Sequence, residues 1–293
     1  PDALGRLEGH DRAVHRLFVD RHLRLQPAVA DLCRGLERLA EVLAHLLRRR
    51  LLPRLRAAAR RTQQQELVAL FAADGMELDP ALIPEDTAVS VYTLTRDEAL
   101  EKKVAAYLLG ETPEGASQGG GIYTYSTARG AAIFRDIGSF DAAGTLSQGS
   151  AEDFCRDFCE DFSSSEPVFT LDDTGSGTAA AVRLWNRAPV FNGSITFTID
   201  HGSVMTVSGS LLPDTAAETA SDTEPLTAFA ALIAFQQMRH ESSSVVSAIT
   251  EISLCYELQN TAAASMTLVP SWQIVTDTAI FYVNCISGTV RRA

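Results

Sequence analysis

The sequence predicts an α+β fold: two units of antiparallel sheet with packed helices, preceded by a helical arm. Three observations predict it. Stretches in which apolar residues alternate with period two are interleaved with segments of helical period. Glycine, proline, asparagine and aspartate clusters punctuate those stretches at short intervals. The charge is also divided unevenly. Residues 1–62 hold fourteen arginines against seven acids, and the rest of the 293-residue chain holds eleven bases against thirty acids, within a formal net charge of -12. With 46% apolar and 21% charged residues, the chain can bury a sizeable core without staples. The expected divisions are an Arg-rich arm at 1–64, a first α+β unit at 65–148 and a second at 149–293.

In the arm, Leu32, Leu36, Leu39, Leu43 and Leu46 recur at spacings of four and three, which places one leucine seam along a helix. Such a seam predicts a homo-oligomer through this helix, or packing of the arm on the body. Arg50 and Pro53 end the seam, and the arginines at 48–50, 54, 56, 60 and 61 suit a solvated helical face, membrane headgroups or a partner's acids. Helix then continues from Glu66 through Phe71 to Gly75, and Met76 to Leu78 reads as an extended lead-in to the first sheet.

The first unit opens with the alternating stretch at 88–94, after which Thr95 and Glu98 form a capping box for a helix with the buried stripe Leu100, Val104, Tyr107 and Leu108. Beyond the glycines at 119–121, residues 122–138 read as a hairpin turning near 128–130, followed by a strand at Ser139 and Phe140. The second unit begins with an acidic helix at 151–162 that carries Phe154, Phe158 and Phe162 on one face. Residues 163–178 read as a loop, and 182–209 as three strands with a tight turn at His201 and Gly202. Leu226, Phe229, Ala230 and Ile233 mark another helix, and Ile252, Leu254, Tyr256 and Leu258 share one face of the next strand. A closing hairpin follows, with Trp272 and Ile274 on one side of a turn at 277–279 and Phe281, Val283 and Cys285 alternating with Tyr282 and Asn284 on the other.

Several functions find little support in the residues. The acidic body lacks the basic face that phosphate binding requires, so nucleic acid is not expected as a ligand. No run reaches the roughly 18–20 apolar residues that span a bilayer, no signal-peptide pattern opens the chain, and the sequence as given reads as soluble. The five cysteines, at 33, 155, 159, 255 and 285, show neither CxxC pairs nor neighbouring histidines. They read as small buried residues, and no cofactor or metal is signalled. Asp173-Thr174-Gly175-Ser176 matches the turn of an aspartic-type peptidase, which would need a second carboxylate from a dimer mate because no second Asp-Thr-Gly occurs. Asn192-Gly193-Ser194 fits a glycosylation acceptor.

From residue 180 onward the pattern resembles YycI-type proteins. The residues that carry the likeness are Pro270, Trp272, the run Tyr282-Val283-Asn284-Cys285 and the turn Ser287-Gly288-Thr289. The hairpin style is similar to PepSY-like modules, and the likeness extends in weaker form over residues 65–293. Cys285 stands where the family pattern has alanine. The resemblance implies two PepSY-like units and a non-enzymatic, extracytoplasmic, membrane-associated regulator. Its expected partner is a membrane sensor histidine kinase of the Gram-positive cell wall, or a related YycH-type protein. It also implies an N-terminal membrane anchor, where this chain carries an Arg-rich, Lys-free arm, so residues 1–62 are expected to be an atypical extension or the product of a misplaced gene start. Trp272, Tyr282 and Asn284 are the expected partner-binding residues, with burial in the core as the alternative role for Trp272 and Tyr282. The alternatives are the Asp173 peptidase and a structural module of a secreted bacterial protein.

Overall fold

Helix α1 (Leu52–Ala73) stops at a turn in which Gly75 has a φ of 72°, a left-handed conformation that favours glycine. A computed structural model describes residues 52–85, 89–111, 113–213, 216–219, 224–242, 245–260 and 266–293. The leucine seam, Cys33 and the arginines at 48–50 lie outside these residues. The chain divides into two units, Pro1–Glu66 and Leu67–Ala293, and the second is described below.

Strand β1 (Glu77–Leu78) leads through a short 3-10 turn to β2 (Val91–Leu94) and helix α2 (Glu98–Leu109). The cap of α2 is Asp97, whose carboxylate accepts from the Leu100 amide, in place of the expected Thr95. An antiparallel meander follows: β3 (Gly115–Gly119), β4 (Ile122–Thr127), β5 (Gly130–Arg135) and β6 (Ser139–Gly144). Ser150 caps α3 (Ala151–Asp161) by accepting from the Asp153 amide. Next come β7 (Val168–Leu171), β8 (Gly177–Trp185), β9 (Ala188–Asp200) and β10 (Ser203–Ser210). Strand β7 corrects the loop expected at 163–178. Four residues are too few to show alternation, and the pairing that makes them a strand comes from β8.

The chain closes with β11 (Ala216–Thr219), α4 (Ala228–Ser242), β12 (Ala248–Asn260), β13 (Met266–Thr276), β14 (Ile280–Asn284) and β15 (Val290–Arg292). The architecture is α+β, and the fifteen described strands form one mixed sheet. Strand β9 is the junction. It runs antiparallel to β8 and β10, and it meets β12 in parallel where Val190 pairs with Tyr256.

Two hydrophobic cores dominate this unit. The first lies between α2, α3 and strands β4–β6 and β8–β10, with Phe158 at its centre. The Phe158 ring lies 4.8 Å from that of Phe162 and 5.5 Å from those of Tyr107 and Phe197. Beneath the end of α3, the buried Arg183 guanidinium donates to the Phe162 carbonyl and, at 2.9 Å, to the Ser164 hydroxyl, placing a positive charge at the helix's negative pole. The second core packs Leu67, Phe71 and α4 against β12–β14, with Trp272 and Phe281 inside. Helix α3 belongs with the meander before it, and residues 67–83 belong with the C-terminal strands. The physical cause is β1, which pairs with Ala248 and Ile249 of β12 and draws the start of the unit onto its end. The buried face of α4 is also rotated from the expected stripe, to Ala228, Ala231, Leu232 and Phe235.

Two polar features secure these elements. Arg96 donates to both oxygens of the buried Glu101 on α2, at 2.8 and 2.6 Å. At the turn before β14, Asp277 accepts from the Ser247 hydroxyl and from the Ser247 and Ala248 amides. The Ser247 hydroxyl, followed by these amides, holds the Asp277 carboxyl below its ordinary range. A depressed carboxylate pKa adds stability that is present above the unfolded value and lost as pH falls through the folded one. Asp277→Asn is therefore expected to flatten part of the loss of stability on acidification, as read by denaturant midpoints from neutral pH downward.

Candidate functional site

Beta alternation sends successive residues of β12, β13 and β14 to opposite faces, and only one face is filled by the second core. Ile252, Trp272, Ile274, Phe281 and Val283 take the core side. Glu257, Ser271, Tyr282 and Asn284 line a cavity of about 180 Å3, together with Phe191, Gln259, Ser287, Thr289 and Arg291. Pro270 fits inside β13 because its neighbour changes there. Strand β2 pairs only as far as Leu268 and β14 begins at Ser271, so the missing N–H costs no ladder bond.

Glu257 anchors the cavity. It is only 8% exposed, and its carboxylate accepts from Gln259 at 2.9 Å and Asn284 at 3.4 Å while pairing with Arg291 at 2.9 Å. A carboxylate this enclosed needs such partners. The Asn284 side-chain oxygen accepts from the Ile286 and Ser287 amides, both at 2.9 Å, which fixes the turn that carries Ser287 and Thr289. The Tyr282 ring stacks on Phe191 with centroids 3.9 Å apart and planes within 11°, and Arg291 sits 5.7 Å over the Phe191 ring. Burial, and secondly the neighbouring Cys255, push the Tyr282 hydroxyl above its ordinary pKa.

The structure thus separates the three residues expected to bind a partner. Tyr282 and Asn284 share the cavity. Trp272 does not: it is 1% exposed and donates its indole N–H to the Leu226 carbonyl at 2.9 Å. Sequence reading missed Glu257, Phe191, Ser271 and Arg291. Glu257 had left one signal, an acid set in an apolar strand opposite the face of Tyr256 and Leu258. Phe191 left none, since it arrives from β9.

The other candidates take structural positions. Asp173 is exposed at the tip of the β7–β8 hairpin, where its neighbour Asp172 holds the turn by accepting from the Thr174 and Ser176 amides at 2.8 and 3.0 Å. Cys155, Cys159, Cys255 and Cys285 are buried free thiols. Burial pushes Cys155 up to about 12 and Cys159 up to about 11, so neither supplies a thiolate at neutral pH. The Asn192 amide substitutes for a strand pair, donating to the Leu258 carbonyl and accepting from the Leu258 amide, each at 2.8 Å. Asn192→Ala is expected to cost about 1–2 kcal/mol, measured as a lower urea midpoint, because it unfastens β9 from β12 beside the cavity.

The site is a polar recess walled on one side by the Phe191–Tyr282 stack. No protein-family model and no curated protein match the chain. Among solved structures, an uncharacterized protein from Eubacterium rectale is similar over 70% of this chain and 81% of its own, at 13% identity and a TM-score of 0.39. The C-terminal domain of Bacillus megaterium YpeB is similar over 68% of this chain and 98% of its own, at 11% identity and a TM-score of 0.32. At these scores the likenesses carry no weight for family or function. Among the described residues, no helix is long and apolar enough to cross a membrane.

Proposed function

We propose that the chain is a non-catalytic binding module that regulates a membrane-associated partner, a sensor histidine kinase or a YycH-type protein, by protein contact. The observation that carries this reading is the recess on the outer face of β12–β14. An enclosed, fully paired Glu257 holds Arg291 and Asn284 in place, while Ser287 and Thr289 stand exposed at the rim. Fixed polar groups around an aromatic pair favour recognition, because little side-chain freedom is lost on contact. The resemblance of residues 270–289 to the ending of YycI-type proteins supports the choice of partner.

The test is site-specific photo-cross-linking of the full chain in membrane extracts, with the probe at Ser287 and a control probe at the exposed Thr178 on β8. A sensor kinase captured from 287 and not from 178, and lost in Tyr282→Ala, supports the reading. Equal capture from both positions, or none from 287, defeats it.

A further inference from the structure

We propose that the Glu257 recess binds a neutral polyhydroxylated ligand the size of one sugar ring. The inference deepens the reading above, since it uses the same face, and it rests on three observations. First, the charge of the recess is internally balanced: its carboxylate and its guanidinium are paired at 2.9 Å, and Gln259 and Asn284 occupy further positions on Glu257. An incoming anion meets Glu257, and an incoming cation meets a carboxylate already satisfied, so neither gains much.

Second, hydrogen-bonding capacity remains. Ser271 is 1% exposed and lines the recess. A hydroxyl there can both donate to and accept from a ligand. The Tyr282 hydroxyl bonds to no described residue. A phenol both donates and accepts at neutral pH, and at the rim the Ser287 hydroxyl donates to that of Thr289 at 3.0 Å, leaving the Thr289 hydroxyl as a donor. The remaining groups thus donate and accept without carrying charge, which matches alcohol groups.

Third, the shape agrees. The recess of about 180 Å3 is well above the ~10–15 Å3 that one water needs, so it has room for a ligand of several heavy atoms, such as one sugar ring. The stacked Phe191–Tyr282 pair forms an apolar wall beside the polar groups. A pyranose offers C–H groups on its faces and hydroxyls around its edge, so it can satisfy wall and floor together.

Saturation-transfer NMR on the full chain, with glucose, galactose and N-acetylglucosamine as probes and phosphate and glycine as charged controls, tests the inference. We expect saturable binding of at least one sugar with a Kd on the order of 1–10 mM. Ser271→Ala and Tyr282→Phe, each with an unchanged thermal midpoint, should weaken it about tenfold. No saturable sugar binding, binding indifferent to both substitutions, or stronger binding of phosphate or glycine overturns it. If Ser271→Ala fails to fold, Tyr282→Phe alone decides, because it keeps the stacked ring. Sugar binding that fails while cross-linking from Ser287 persists overturns the ligand and leaves the partner contact standing. Sugar binding without cross-linking supports the ligand and defeats the contact.

Discussion

Trp272→Ala is expected to cost about 3–5 kcal/mol of stability, the largest loss for any single truncation in the closing hairpin. The indole is 1% exposed in the second core, and the same substitution also strands the Leu226 carbonyl that its N–H satisfies at 2.9 Å. Trp272→Phe should retain most of the packing and lose about 1 kcal/mol for the hydrogen bond. Urea denaturation of the full chain measures both, and acrylamide quenching checks the burial directly. A Trp272→Ala variant of unchanged stability that loses a binding partner would return this residue to the surface role expected from sequence.

Arg96→Ala should be of similar size, about 3–5 kcal/mol, because it leaves the carboxylate of Glu101 buried without its cation. Glu101 is 3% exposed, and besides Arg96 it accepts from the Tyr125 hydroxyl at 3.4 Å. Burial already pushes the Glu101 carboxyl above its ordinary range despite the pull of Arg96. Removing Arg96 raises it further. An acid with a raised folded pKa stabilises the native state below the unfolded value and loses that stability as pH rises through the folded one. The Arg96→Ala deficit should therefore be greatest at neutral pH and shrink on acidification. The double variant Arg96→Leu with Glu101→Leu should recover most of the loss, since burying two apolar groups carries no desolvation penalty. A deficit independent of pH, uncorrected by the double variant, would assign the loss to packing.

Elements whose periodicity is local were legible in the sequence. The meander at 122–144, the Phe-bearing helix α3, the strands on either side of His201 and the closing hairpin all lie near their expected places. The alternation that put Tyr282 and Asn284 opposite Phe281 and Val283 also placed two of the three expected site residues on the open face. Alternation could not say which side of β13 the core would fill, so Trp272 was assigned to both roles. Strand β7 and the rotated face of α4 were missed for a related reason. Four residues give too little pattern, and a helix as uniformly apolar as Ala228–Phe235 allows several buried stripes.

The sequence by itself determined the α+β class, the order of most helices and strands, and the two-sided pattern of the final hairpin, because each depends on residues a few positions apart. Only the tertiary structure decided that β1 joins β12, that residues 67–83 complete the C-terminal core, and that Phe191 stacks on Tyr282 across more than ninety positions. It also decided the pairing of Glu257 with Arg291 and the placing of Arg183 under the end of α3. Those contacts join residues far apart in the chain, and their energies come from burial and from the pairing of polar groups that burial demands, which no local pattern of residues encodes.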